Sequence, residues 1–325
     1  MLRIYIVLLC AIFISPSAWA VCTLARGQPT TLAINSQLIT ISADAAIDKT
    51  TPIAQYDSPV LGSRIGYDLC LDGTEYGKRV IGLTGQDATT RIYQTNITGI
   101  GVKLLFSNGT AFGNFPSTTK VSSPDMPTTL DMREGSFYRV QFFKTGELKL
   151  TDPAGDLILS PGLIAYNYLM SDNPSSYMLN LSVDDIKIIS TPSCTADGAK
   201  TIDFNTVTPA LLSAGVSRDL NFSITCKSDY GNYAAKASMT TTTPSSDGSF
   251  IRVKDAAGSQ GKLGIRITDS SGQVMKIDGT TTEMKNSISQ GPADFAWKAM
   301  LIASDVSRPA GGVFTAKAEI VFDIQ

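Results

Sequence analysis

The sequence predicts an all-β protein made of antiparallel β-sandwiches, and three observations lead there. Apolar residues recur at every second position in many short runs, clusters of Gly, Pro, Asn, Asp and Ser separate those runs, and helical periodicity is almost absent. Strands at that spacing without long helices build sandwiches rather than parallel-sheet folds.

Taken in chain order, the first element is an export signal spanning residues 1–20. Arg3 supplies a positive start, and Ile4 to Ile14 form an apolar run of eleven residues. That is about half the roughly twenty needed to cross a bilayer. Ala18-Trp19-Ala20 is a small-x-small cleavage site, so the mature chain is expected to begin at Val21 and to be exported as a soluble product.

The 325 residues carry 27 Lys+Arg, 29 Asp+Glu and no histidine. Without imidazole there is no Ser-His-Asp or Cys-His nucleophile and no His-ligated zinc. The near-neutral balance contains no basic run, so no nucleic-acid partner is expected. Neither a cofactor nor a metal site is expected. Asp184-Asp185 lacks the loop pattern that binds calcium, and Gly99-Ile100-Gly101 reads as a turn at a strand edge.

Of the five cysteines, Cys10 leaves with the signal. Four remain and allow three pairings. Spacing favours Cys22–Cys70 with Cys194–Cys226, because each bridge then closes a local loop and the two fall in opposite halves of the chain. In an oxidising compartment each would stabilise its half by about 3 to 4.5 kcal/mol in the chain-entropy model.

The strand signals follow. Tyr138 to Phe142 alternate, as do Leu179-Leu181-Val183, Leu220-Phe222-Ile224, Leu263-Ile265-Ile267 and Phe295-Trp297-Ala299-Leu301. Ser107-Asn108-Gly109-Thr110, Lys144-Thr145-Gly146-Glu147 and Ser270-Ser271-Gly272-Gln273 read as turns joining strands. The Ser/Thr/Pro-rich stretches Phe115 to Thr129 and Thr240 to Ser249 read as long loops. A boundary falls at Ser190-Thr191-Pro192-Ser193, where proline interrupts the ladder and the strand pattern restarts at Cys194. Residues 21–190 and 191–325 are therefore expected to be separate domains.

The last run is the strongest signal. Phe314, Ala316, Ala318, Ile320, Phe322 and Ile324 share one face, with Thr315, Lys317, Glu319 and Asp323 on the other, and a glycine pair, Gly311-Gly312, precedes them. With the pair Cys194 and Cys226 opening the domain and Leu263 to Ile267 in its middle, this order resembles the pilin domain of chaperone-usher fimbrial subunits over residues 194–325. The family has tyrosine next to last, where this chain has Ile324. The resemblance implies an incomplete immunoglobulin-like sandwich that lacks its last strand, with an apolar groove beside the terminal strand. It also implies three partners: a periplasmic chaperone, the outer-membrane usher, and the next fimbrial subunit, whose donor strand fills the groove.

Ahead of the pilin-like part lies a domain-sized segment in place of a donor extension. Two-domain tip adhesins of type 1 and type 3 fimbriae have this layout. Ile92 to Leu104 and Ile186 to Cys194 look like the corresponding parts of the type 3 adhesin. The resemblance implies a lectin-like receptor-binding domain at 21–190, an immunoglobulin-like fold for both domains, and a location on the surface of a Gram-negative cell at the fimbrial tip. The receptor would be a host glycan or an extracellular-matrix protein.

Candidate ligand-binding residues lie in two places. The Cys22–Cys70 bridge would set the Val21 amine beside Asp72, Glu75 and Tyr76, where carboxylates and an aromatic ring suit sugar hydroxyls. In mannose-specific adhesins the matching pocket uses the N-terminal amine and polar residues after the second cysteine, which carries over to Val21 and Asp72. The competing role for Asp72-Gly73 is a hairpin turn. Tyr166, Asn167 and Tyr168, together with Tyr177, form the second patch, for which packing is the competing role. The expected function is adhesion without catalysis. The alternatives are a structural minor subunit that binds no receptor and a hydrolase using paired carboxylates, for which no acid pair stands out.

Overall fold

The computed structural model describes residues 22–303 and 309–325. The expected export signal, its cleavage site and Val21 lie outside the described residues. Among the described residues, no helix is long and apolar enough to cross a membrane.

The chain is all-β, as the alternation predicts. The N-terminal part contains β1 (Thr23–Arg26), β2 (Thr30–Ile34), β3 (Gln37–Ser42), β4 (Ala54–Asp57), β5 (Ile65–Cys70), β6 (Glu75–Val80), β7 (Tyr93–Gln94) and β8 (Ile100–Ser107). It continues with β9 (Phe112–Asn114), β10 (Ser117–Lys120), β11 (Thr128–Met132), β12 (Phe137–Lys144), β13 (Asp156–Leu159), β14 (Gly162–Leu169), β15 (Tyr177–Val183) and β16 (Ile186–Thr191). The C-terminal part contains β17 (Ser193–Ala196), α1 (Pro209–Ala214), β18 (Val216–Lys227), β19 (Asn232–Thr240), β20 (Ile251–Lys254) and β21 (Gln260–Thr268). After these come β22 (Val274–Met275), β23 (Asp278–Ile288), β24 (Pro292–Ala303) and β25 (Glu319–Ile324).

In the N-terminal part the sheet β10-β6-β14-β15-β2 faces the sheet β4-β12-β8-β7, flanked by β1-β5-β11 and β13-β16-β3. Strand β12 shows why. Tyr138, Val140 and Phe142 are buried at alternate positions, while Phe137, Arg139 and Gln141 between them are only half-buried. The Tyr138 hydroxyl lies 2.7 Å from both Asn167 Oδ1 and Leu179 O, so the ring crosses the core and ties the two sheets together. Phe106 and Phe115 pack on the same ring, 5.3 and 6.1 Å away.

Two pairings in this part are parallel, where the sequence pointed only to antiparallel ladders: β2 with β15 and β3 with β16. Asp184 N donates to Ile34 O and Gln37 N to Asp185 O, both at 2.9 Å, so the two segments leave one sheet for the other side by side. This places Asp184-Asp185 at the switch point. Two turn and loop readings also change. Phe115 to Thr129 is not all loop, because Ser117–Lys120 pairs with β6. Lys144 to Glu147 joins no hairpin. Lys144 ends β12 fully buried, its Nζ donating to Ala45 O at 2.7 Å, and the chain then runs without strand while Leu148 and Leu150 enter the core.

The C-terminal part has its own core beneath β17-β18-β24-β21-β20 and β23-β19-β25. Phe222, Phe295 and the fully buried Trp297 stack from the first sheet, and Phe322 meets Phe222 and Phe295 from the second at 5.9 Å. The short helix α1 was not foreseen. Thr208 caps it by accepting from Leu211 N, and Gly215 ends it at φ +80°. The turn after β18 docks on the N-terminal part: Ser190 Oγ donates to Asp229 at 2.6 Å, and Leu150 N donates to Asp229 O at 2.9 Å.

Candidate binding site

Two disulfides pin the two parts, Cys22–Cys70 and Cys194–Cys226. The first anchors the turn that joins β5 to β6. Asp72 and Gly73 form that turn, and Asp72 Oδ1 accepts from Ser123 N at 2.8 Å, so the carboxylate holds its own neighbourhood together.

The two patches of candidate residues turn out to be one region. Strand β6 pairs with β14 so that Tyr76 lies opposite Leu169, Lys78 opposite Asn167, and Arg79 opposite Tyr166. Alternation then sorts the side chains onto two faces. Tyr76, Lys78, Leu169 and Asn167 point toward the facing sheet, whereas Glu75, Arg79, Tyr166 and Tyr168 point away from it.

The outer face is closed on itself. The Tyr168 hydroxyl donates to Glu75 Oε1 at 2.8 Å and lies 3.2 Å from Thr118 Oγ1. Its ring covers Gly77, where an added Cβ would come within 2.9 Å of it. The Tyr166 hydroxyl donates to Asp172, which also pairs with Arg79 at 3.4 Å, and Tyr166 stacks on Tyr177 at 3.8 Å between centroids. Burial first, and then the bond to Asp172, push the Tyr166 phenol above its ordinary range. Tyr166 and Tyr168 are 6% and 0% exposed, so the hydroxyls a sugar would use are already occupied. Packing accounts for this pair of rings.

The inner face borders a cavity of about 370 Å³ lined by Tyr76, Lys78 and Asn167 with Phe106, Met132 and Met178, and Phe112 sits at its rim with its ring turned to Phe137 and Arg139. Lys78 and Phe112 were not singled out from the sequence. The available signal was Lys78 at an inward position of an alternating strand, between Tyr76 and Val80. A second cavity of about 460 Å³ lies by β7 and the start of β8, lined by Lys49, Asp87, Tyr93, Gln94 and several threonines.

Among the described residues, the terminal strand β25 pairs with β19 alone. Gln325 and Ala234 exchange both backbone bonds, so by alternation the amides of Ile320, Phe322 and Ile324 face away from β19. The side chains of these three are half-buried, whereas Tyr233, Ala235, Ala237 and Met239 on β19 are at most 3% exposed. The strand is shorter than its sequence pattern. It starts at Glu319, and Ala316 and Ala318 are exposed rather than part of an apolar face. The reason is that β19 ends at Thr240 opposite Glu319, so no ladder remains for the preceding residues. They cross instead toward β20, where Thr315 bridges Lys254 and Phe314 packs near Phe204 at 6.4 Å.

The family model described as fimbrial protein matches residues 185–325. The matched segment contains both C-terminal sheets, the Cys194–Cys226 bridge and the terminal strand. No sequence among the curated proteins matches the chain. Solved structures similar to it include the receptor-binding domain of the adhesin MrkD1P of Klebsiella pneumoniae, at 20% identity and TM-score 0.38, covering 54% of this chain and 98% of that one. The CupB6 tip adhesin of Pseudomonas aeruginosa is similar at 12% identity and TM-score 0.37, covering 93% and 94%. The CsuC-CsuE chaperone-tip adhesion subunit complex of Acinetobacter baumannii is similar at 10% and 0.40, covering 91% and 99%.

Proposed function

We propose that the chain is a tip adhesin of chaperone-usher fimbriae. Residues 21–190 bind a receptor, and residues 191–325 fix the adhesin to the fimbria by accepting a donor strand. The observation that carries this reading is β25: its inward side chains are half-buried and its outer edge has no partner strand among the described residues. An apolar face beside a free ladder edge is what an added strand fills, with backbone bonds giving affinity and alternate side chains entering the groove. A periplasmic chaperone would cover the same edge before assembly, with the usher and the next subunit following. The role is adhesive rather than catalytic, and the finished protein would be displayed outside the cell.

The test is to titrate the full chain with a synthetic peptide of alternating apolar residues. A rise in melting temperature that grows with peptide concentration is expected, because a ligand bound only by the folded state stabilises it by mass action. No change, in a chain shown to be folded, would count against donor-strand acceptance.

A further inference from the structure

Lys78 stands out among the cations of the N-terminal part because it is drawn out of water over aromatic rings. Arg139 pairs with Asp57 at 2.7 Å, Arg64 with Asp131 and Arg79 with Asp172, and buried Lys144 donates to Ala45 O. The Lys78 ammonium makes neither an ion pair nor a hydrogen bond among the described residues, and no carboxylate lines its cavity. It sits over aromatic faces, 5.6 Å from the Phe115 centroid and 5.9 Å from that of Phe106. Burial lowers its pKa, the expected sign for an ammonium drawn out of water without a counter-ion.

The site is shaped around this group. Lys78 Nζ lies where a side chain at position 113 would begin: a Cβ added to Gly113 would come within 2.3 Å of it. Asn167, 3% exposed, is directly opposite Lys78 across the ladder, with its amide nitrogen facing only the Met132 sulfur at 3.8 Å. Tyr76, Phe106, Met132 and Met178 line one side of the space, and the exposed Asn108, Ser117 and Thr119 add polar groups where it opens to solvent.

We propose that this cavity is the receptor pocket and that it takes a sugar acid, a single carboxylate-bearing sugar ring, with the carboxylate on Lys78. This rests on the adhesin reading above and names its ligand class. An ammonium left over aromatic rings without an anion gains a charge-assisted bond when a carboxylate enters. The apolar walls suit the C–H faces of a sugar ring, and the amides and hydroxyls suit its O–H groups. An acidic peptide side chain would reach Lys78 but leave most of the 370 Å³ unfilled.

The experiment is calorimetric titration of the full chain with three probes: glucuronate, glucose as the neutral ring, and glutarate as a flexible acid without a ring. Glucuronate is expected to bind at least about tenfold more tightly than either of the others. Lys78→Met, which keeps the apolar stem, is expected to abolish the preference for glucuronate over glucose. Gly113→Ala, which pushes the ammonium aside without demanding unusual backbone angles, is expected to weaken glucuronate binding at least about threefold. Lys200→Met in the C-terminal part is expected to leave binding unchanged. The proposal is overturned if glucose binds as well as glucuronate, or if folded Lys78→Met and Gly113→Ala bind like wild type. Equal binding of glutarate would assign the pocket to acidic peptide side chains and overturn the sugar reading. None of these titrations needs a donor strand, so failure here and failure of the donor-peptide titration are separate results.

Discussion

Strands β15 and β25 are alike in sequence pattern and unlike in what the fold does with them. Both are alternating strands whose inward residues are aliphatic or aromatic. The edge of β15 is closed by β2, and Leu179, Leu181 and Val183 are at most 2% exposed. Among the described residues β25 has a neighbour on one side only, and Ile320, Phe322 and Ile324 stay half-buried. Burial of a strand's apolar face is therefore set by the neighbours on both of its edges and not by its own composition. In the N-terminal part the chain supplies both neighbours. In the C-terminal part, on the reading proposed here, the second comes from another molecule.

The largest effect expected is loss of either disulfide. Replacing Cys22 and Cys70, or Cys194 and Cys226, by alanine should destabilise the affected part by about 4 kcal/mol, since the closed loops are of similar length. Urea denaturation measures this, and a donor peptide should offset the loss only for the Cys194–Cys226 variant. Next, Leu181→Ala should cost about 3 kcal/mol, as expected for a fully buried leucine, whereas Ile324→Ala should cost less than about 1.5 kcal/mol in the chain alone. Equal costs would remove the contrast between the two strands.

A smaller effect, about 1 to 3 kcal/mol, is expected for Tyr138→Phe, which strands the buried polar groups of Asn167 and Leu179 between the sheets. The smallest is a pH effect in the C-terminal part. Burial works to raise the Glu283 pKa, but bonds from Lys285, Ser270 and Trp297 outweigh it and hold the carboxyl below its ordinary value. A depressed carboxylate stabilises above its unfolded pKa and loses that contribution as pH falls through the folded value. Glu283→Gln should therefore be less stable than wild type at neutral pH, and the gap should shrink on acidification below the ordinary glutamate range.

Much of the fold was legible because alternation is a local signal. Tyr138 to Phe142 and Phe295 to Leu301 become β12 and β24 with the faces their spacing predicts. The parallel pairings were not legible, because residues about 150 positions apart must meet and no local pattern encodes that. The terminal strand was read too long for a related reason: the pattern of Ala316 and Ala318 says nothing about where β19 ends. At the candidate site, the sequence named Tyr76 and Asn167 but grouped them with Glu75, Tyr166 and Tyr168. Their opposite faces emerge only from the pairing of β6 with β14. Lys78 was overlooked because a lysine within a strand reads as a solvent-facing residue until the strand's phase is fixed by its partners.

The central claim is that the outer edge of β25 awaits a strand. Hydrogen exchange on the full chain, read at Ile320, Phe322 and Ile324 with and without the alternating apolar peptide, tests it most directly. The account predicts fast exchange at these three amides in the chain alone and strong protection once the peptide binds, with Val321 and Asp323, which face β19, protected in both states. Protection of all five amides without peptide would mean that the edge is already closed and would contradict the account.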